Sequence, residues 1–318
     1  YRVTPEMRQK IMERLPFRLT PDQEAACDAI IADTQGEFAM QRLIQGDVGS
    51  GKTIVAFIAL MLAVESGYQG AFLAPTEILA GQHYQNACSF FDPGTVDVLT
   101  GSTPGKKRRE ILARLKEGSL KVVFGTHALI TETVQFDCLA MVVIDEQHRF
   151  GVSQRAALYY KGNAADLLVT TATPIPRTML LSLYNDLTVS TIKTKPAGRL
   201  PIISHIVGTA KRDEFMKVLA KELEQGEKAF IILPLIEPSE FFSELRSVEE
   251  ETAYYKKVFK GLDIGVVTGR SSAEDKEKTL ERLARGDIRV LVATTVIEVG
   301  IDVKDATIIV IENADRYG

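Results

Sequence analysis

Nothing in this sequence would take the chain out of water. No apolar run approaches the ~20 residues needed to span a bilayer, and no secretory segment opens it. Cysteine is scarce. Its three copies (Cys27, Cys88 and Cys138) form neither a C-x-x-C pair nor an even disulfide set, which points to a reducing cytoplasm. The four histidines lack metal-ligand spacing, so no zinc site is expected. Basic charge is not in excess either. With 38 Lys and Arg against 42 Asp and Glu, the net charge is −4. That excludes a protein coating nucleic acid by bulk charge, but not a motor gripping a few phosphates in one groove. Short repeats and low-complexity tracts are absent. What remains, 45% hydrophobic and 25% charged over 318 residues, is soluble globular composition with room for two domains.

Against this plain background one string stands out: Gly46-Asp47-Val48-Gly49-Ser50-Gly51-Lys52-Thr53. It satisfies G-x-x-x-x-G-K-[ST] and lies between a predicted strand, 42–45, and an apolar helix predicted from Thr53 to about Ser66. Glycines at 46, 49 and 51 let the backbone curl so that N–H groups, Ser50's included, face phosphate oxygens, and the helix N-terminus adds partial positive charge. Lys52 should reach the β- and γ-phosphates of ATP, and the Thr53 hydroxyl should ligate Mg2+. A second string, Asp145-Glu146-Gln147-His148, follows the continuous apolar run 139–144, as expected of a central parallel strand. Carboxylates at such a strand tip lie where open α/β sheets put their ligands. Asp145 is then the Mg2+-side acid, and Glu146 is placed to orient and deprotonate the attacking water.

Apolar strand-like runs alternate with amphipathic helical stretches nearly throughout, which predicts parallel α/β architecture. Strands are expected at 42–45, 70–74, 96–99, 121–125, 141–145 and 167–171, with helices at 76–90 and 104–117 among them. The Pro- and Gly-containing stretch from Lys193 to Pro201 reads as a linker. Beyond it a strand at 202–207, a helix at 211–225 and a strand at 228–233 restart the pattern. A charged insertion, 237–251, precedes strands at 263–268, 288–293 and 307–312 and a helix at 273–285. The expectation is two tandem P-loop-type α/β domains, each a mainly parallel sheet flanked by helices. They cover residues 1–194 and 202–318 with a linker at 195–201, and the second has no P-loop of its own.

Other segments gain weight from position. Thr171-Ala172-Thr173-Pro174 should emerge beside the acidic pair, where small hydroxyls can hydrogen-bond His148 and report the γ-phosphate. Thr20 reads as an N-cap with Pro21 at the first helical position. Gln23, just upstream of the loop, can both donate to and accept from an adenine edge. Turns at Thr76, at Thr100-Gly101-Ser102 and at Thr126-His127 look like grips for a nucleic-acid backbone. Thr268-Gly269-Arg270 and Thr294-Thr295 repeat the arrangement in the second half. The basic run Lys106–Arg109 reads as a solvated helix start.

In their order, Gln23, GDVGSGKT, APTEILAGQH (74–83), GTHALI (125–130), VVIDEQHRFGV (142–152), TATPIPRT (171–178) and TTVIEVGIDV (294–303) resemble superfamily-2 helicases of the RecG type. The resemblance covers essentially the whole chain and implies two RecA-like domains. Transcription–repair coupling translocases carry Glu where this chain has Gln147, and RNA helicases usually read Asp-Glu-Ala-Asp there. The resemblance implies a cytoplasmic bacterial DNA translocase, monomeric, that remodels stalled forks and branched duplexes using ATP and Mg2+. By motif match, Lys52 and Thr53 bind phosphate and metal, and Gln23 contacts adenine. Gln147, His148, Thr171 and Thr173 couple the γ-phosphate to motion, while Gly300 and Asp302 approach ATP from the second domain. Thr76, Thr100, Gly101, Thr126, His127, Thr268, Gly269, Thr294 and Thr295 fall in DNA-backbone segments.

The family's arginine-rich motif is expected shortly after Gly318, so the chain reads as a helicase-core fragment with weak binding and very slow turnover. An arginine finger is worth ~10³–10⁵ in rate in comparable sites. Three alternatives stay open: a transcription-repair-coupling translocase, a DNA-independent P-loop NTPase, and a nucleotide-switched scaffold.

Overall fold

The computed structural model describes residues 2–146, 165–172, 187–194, 202–234, 241–294 and 306–316. The chain divides into two compact units, Tyr1–Pro201 and Ile202–Gly318.

In the first unit seven strands form one parallel sheet: β1 Gln41–Gly46, β2 Gln69–Leu73, β3 Val96–Leu99, β4 Val122–Gly125, β5 Leu139–Asp145, β6 Asp166–Thr171 and β7 Thr188–Ile192. Their order is β3-β4-β2-β5-β6-β1-β7. Period-two alternation sends neighbouring residues into different cores. Phe72, Val122, Phe124, Met141 and Val143 join the core of helix α3 (Lys52–Glu65). Ala71, Leu73, Val123, Val142 and Ile144 join that of helix α5 (Gly105–Lys116). Both faces are therefore apolar, and for that reason the strands read as unbroken runs. Helix α3 is buried all round from Ile54 to Ala63, as a helix apolar on every side must be. It packs against α1 (Pro5–Glu13), α2 (Pro21–Thr34), β2 and β5. Phe57, Phe72 and Phe124 meet there with ring centroids 5.4 to 6.0 Å apart, each contact worth about 0.5–1.5 kcal/mol beyond area burial.

The order of the sheet positions the site. Strand β6 lies between β5 and β1, so Asp145, Thr171 and Gly46 end three consecutive parallel strands on one edge. Strands β3, β4 and β2 bring Thr100, Thr126 and the start of α4 (Glu77–Ala87) to that same edge.

The second unit has four parallel strands in the order β11-β8-β10-β9, with β8 Lys228–Ile232, β9 Ile264–Val267, β10 Val290–Ala293 and β11 Ala306–Ile311. Helices α6 (Arg212–Glu224), α7 (Phe241–Val258) and α8 (Ala273–Arg285) accompany them. Its core gathers Met216, Leu219, Leu223, Ile231, Tyr255 and Phe259. Arg212 ties three elements together, donating to Glu312 at 3.0 Å and Glu251 at 2.6 Å while lying 4.4 Å from the Tyr254 ring centroid. Burial and the facing Glu312 push the Tyr255 hydroxyl far above its ordinary pKa.

One expected strand needs correction, and two elements are not assigned from sequence. Residues 202–207 form no strand: Ile202, Ile203 and Ile206 are 86%, 75% and 104% exposed. Alternating β-branched residues make a strand only beside a partner whose N–H and C=O groups they can meet, and none of the described strands pairs with them. The charged insertion contains most of α7. The polar segment Thr188-Val189-Ser190-Thr191-Ile192, unassigned from sequence, pairs with β1 as edge strand β7.

No helix among the described residues is long and apolar enough to cross a membrane.

Candidate active site

The site begins where β1 stops. Gly46 sits against β7 so closely that a Cβ there would come 2.8 Å from the Ile192 carbonyl and 2.5 Å from Ser50 Oγ. Gly49 and Gly51 have φ of +71° and +87°, a region L-residues enter at a cost of roughly 1–2 kcal/mol. Gly51 is the N-cap of α3. These dihedrals bend the loop round the helix N-terminus, where unsatisfied N–H groups and the helix dipole favour an anion.

Lys52 is only 9% exposed. Its Nζ spans the loop from inside, donating to the carbonyls of Gly46 at 2.7 Å and Asp47 at 3.0 Å. Burial lowers its pKa, while Glu146, Asp145 and Asp47 act in the opposite direction. The cation and both acids thus share one electrostatic neighbourhood. Among the described residues Ser50 Oγ is buried without a partner, and Thr53 is partly buried as the second residue of α3.

Gln23 lies in the first turn of α2 and is 2% exposed. Its side chain closes a capping box, accepting from the Thr20 N–H at 2.9 Å and donating to the Ser50 carbonyl at 2.9 Å. The predicted adenine contact is thus engaged within the protein, bracing the phosphate loop.

Asp145 ends β5. Oδ2 accepts from His83 Nε2 at 3.0 Å, and Oδ1 accepts from the Thr170 hydroxyl. Burial alone would raise its pKa. The His83 hydrogen bond and charge, the Thr170 hydroxyl and Lys52 outweigh that and hold the carboxyl below the usual range. Glu146 turns the chain at φ +50°, its N–H donating to the Thr170 carbonyl at 3.1 Å and its Oε1 accepting from the Ala172 N–H at 3.2 Å. The structure therefore brings Gly46, Gly49, Ser50, Gly51, Lys52, Thr53, Gln23, Asp145, Glu146 and Thr171 to one region. It adds Thr170 and His83, which sequence reasoning missed. Thr171 is buried, and it is its neighbour Thr170 that bonds the acid. Gln147, His148, Thr173, Thr295, Gly300 and Asp302 lie outside the described residues, as does the linker 195–201.

The donor set fits Mg2+. One buried carboxylate kept ionised beside the loop, with a hydroxyl at Thr53, suits a hard cation held by few protein oxygens and completed by phosphate and water. Among the described residues no group of three or more His, Cys, Asp or Glu could hold a metal alone.

The expected backbone grips occupy the same edge. Thr76 is the N-cap of α4, its Oγ1 accepting from the Leu79 N–H. Thr100 opens a turn in which its N–H donates to Thr103 Oγ1 at 2.9 Å; Gly101 and His127 are exposed. Glu77 joins two of these turns, accepting from the Ser102 N–H at 3.1 Å and from its hydroxyl. The second unit repeats the pattern. Thr268, after edge strand β9, donates its N–H to Ser271 Oγ at 3.0 Å, and Gly269 is exposed. Thr126 after β4 and Thr294 after β10 are each 2% exposed, with hydroxyls buried and without partners among the described residues. In the basic run, Lys107 pairs with Asp97 at 2.8 Å and Arg108 donates to the Thr100 carbonyl.

Residues 20–181 match the DEAD/DEAH box helicase family, and residues 210–317 match the helicase conserved C-terminal domain. The chain is 48% identical over 317 residues to the ATP-dependent DNA helicase RecG of Synechocystis sp., covering 98% of this chain and 38% of that protein. It is 43% identical over 320 residues to the ATP-dependent DNA helicase RecG of Bacillus subtilis, covering 100% of this chain and 47% of that protein. A solved structure of RecG bound to a three-way DNA junction superposes with a TM-score of 0.85 at 41% identity, covering 100% of this chain and 42% of that one. The chain thus spans less than half the length of these relatives, and they bear out the resemblance drawn from the motifs.

Proposed function

The chain belongs to the DEAD/DEAH box helicase family, and from that premise we propose that it is the ATP-driven core of a translocase acting on forked or branched double-stranded DNA. The observation that carries the reading is the repeat of one turn in both units. Thr100 and Thr268 each follow an edge strand, and each donates its N–H to a hydroxyl three residues on. Beside them Thr126 and Thr294 follow the adjacent strands with hydroxyls that have no partner among the described residues. A nucleotide enzyme working on small molecules has no use for a duplicated backbone grip. A motor moving along any sequence does, because backbone contacts hold the polymer without reading bases.

In this reading the loop N–H groups from Gly49 to Thr53 hold the phosphates. Lys52 exchanges a loop carbonyl for a phosphate oxygen. Gln23 braces the loop and presents its remaining amide N–H to the base. Thr53 and Asp145 are the residues that would hold Mg2+, which supplies charge neutralisation on the phosphates. Glu146 accepts a proton from the attacking water, Gln147, His148, Thr171 and Thr173 pass the γ-phosphate state onward, and Gly300 and Asp302 are assigned to ATP binding. Electrostatic stabilisation and positioning carry most of the rate in such chemistry. Thr76, Thr100, Gly101, Thr126, His127, Thr268, Gly269, Thr294 and Thr295 take the DNA backbone. We place the protein in a bacterial cytoplasm, working as a monomer.

The test is ATP turnover with and without a forked duplex, by this chain and by a form extended to the length of its relatives. DNA-stimulated turnover in the extended form, abolished by Glu146→Gln, is the expected result. Turnover indifferent to DNA would refute the translocase reading and favour a plain NTPase.

A further inference from the structure

We propose that His83 is the positioning residue of Asp145: it fixes the rotamer of the metal-side carboxylate and fastens that carboxylate to α4. The inference rests on the reading of Asp145 as the Mg2+-side acid. His83 lies on the buried face of α4 with Leu79, Ala80 and Ala87. Its ring is clamped by aromatic neighbours, 4.5 Å from the Phe72 centroid and edge-on to Phe57 at 6.4 Å and 86°. A ring held this way cannot swing to follow a moving partner, so it sets where the partner must be. Nε2 stands 3.0 Å from Asp145 Oδ2. An ionised carboxylate only accepts, so Nε2 carries the hydrogen in this contact. Nδ1 is buried and has no partner among the described residues, so among them Asp145 is the ring's polar anchor.

The Thr170 hydroxyl fixes the other oxygen from β6. Two donors from two elements define the carboxylate plane, and each oxygen keeps lone-pair capacity for a cation. Helix α4 makes the second link. Its N-cap is Thr76 and its first residue is Glu77, which holds the Ser102 turn. The helix therefore runs from the turns assigned to the DNA backbone to the acid of the nucleotide site, and His83 is where it touches that acid.

The test reads metal dependence without turnover. Binding of a fluorescent, non-hydrolysable ATP analogue to this chain is followed across a Mg2+ titration for wild type, His83→Leu, His83→Asn and His83→Gln, with thermal unfolding of each. Removing such outer-shell partners costs ~10–100-fold in metal affinity. His83→Leu should therefore raise the Mg2+ concentration for half-maximal binding about tenfold or more. His83→Asn, whose amide falls short of Asp145, should do the same. His83→Gln, whose amide nitrogen can reach the Nε2 position, should restore the wild-type requirement. An unchanged Mg2+ requirement in a folded Leu or Asn variant overturns the proposal. So does a folded Gln variant as defective as Asn, even where Leu fails to fold. Lys52→Ala separates the premise: if it binds the analogue as wild type does, the ATP-site reading itself has failed.

Discussion

The side-chain amide of Gln23 donates to the carbonyl of Ser50 across 2.9 Å, joining the N-terminal turn of α2 to the phosphate loop. A Cβ on Gly51 would come 2.1 Å from that same Gln23 nitrogen, and Gly51 holds φ +87°. Gly51→Ala therefore fails twice, by backbone conformation at about 1–2 kcal/mol and by expelling Gln23. The expected outcome is a folded protein with a modest loss of stability in urea and no measurable nucleotide binding. Gln23→Ala removes the capping box without the backbone strain. It should cost about 1 kcal/mol and weaken nucleotide binding less than Gly51→Ala does. Equal binding defects would mean that the glycine conformation is irrelevant.

How much of this was legible follows from the distance over which each residue acts. Gly49, Gly51 and Lys52 announce themselves because the loop's chemistry is local and only glycine adopts those dihedrals cheaply. Asp145 and Glu146 follow from the apolar strand before them. His83 stood inside a segment already singled out, yet its partner lies 62 residues away, and a histidine on an apolar helix face carries no signal of its own. Thr170 was hidden beside Thr171, since strand alternation does not say which of two threonines meets the acid. The 202–207 segment misled because its pattern is that of a strand, while strand formation depends on a neighbour the pattern cannot name.

Gln69 provides a prediction about stability rather than chemistry. It is 1% exposed, and its amide is fully engaged. Nε2 donates to the carbonyls of Leu115 at 2.9 Å and Leu120 at 2.7 Å, while Oε1 accepts from the N–H groups of Asp137 at 2.9 Å and Cys138 at 3.0 Å. One side chain thus fastens the end of α5 and the approach to β5 onto β2. Gln69→Leu takes the side-chain donor from the buried Leu120 carbonyl, at roughly 1–3 kcal/mol, while the Leu115 carbonyl and the Asp137 N–H keep each other at 3.3 Å. The expected loss is about 1–3 kcal/mol by denaturant unfolding. A loss below about 1 kcal/mol would show that water reaches these groups.

Asp22 supplies a pH dependence. Its Oδ2 accepts from the N–H groups of Thr194 at 2.7 Å and Lys193 at 2.8 Å and from the Thr194 hydroxyl at 2.9 Å. The Thr194 backbone bond is the largest influence, and the group's pKa is lowered. A folded-state pKa below the unfolded one means that the ionised form is favoured by folding. The stabilisation is then fully present above the ordinary carboxylate range and is lost as pH falls through the lowered pKa. Asp22→Asn should unfold at a lower temperature than wild type near neutrality, and the difference should shrink on acidification. A difference constant from neutral to acid pH would assign the effect to shape, not charge.

Glu146 tests whether backbone strain and chemistry reside in the same residue. It is one of two non-glycine residues with positive φ among those described. Its N–H and carboxylate are both held by the end of β6. Left-handed backbone is uncommon for Glu but several-fold enriched for Asn, so Glu146→Asn relieves strain while removing the reach of the carboxylate. Stability should hold or rise by up to about 1 kcal/mol, with ATP turnover lost in the extended form. Glu146→Gln keeps both the reach and the strain. It should leave stability near wild type and nucleotide binding intact while turnover is again lost, because an amide cannot take the proton from water. Turnover surviving in Glu146→Gln would remove Glu146 as the base. A stability loss in Glu146→Asn would show instead that the carboxylate's bond to Ala172 outweighs the strain, making the residue a structural clasp first.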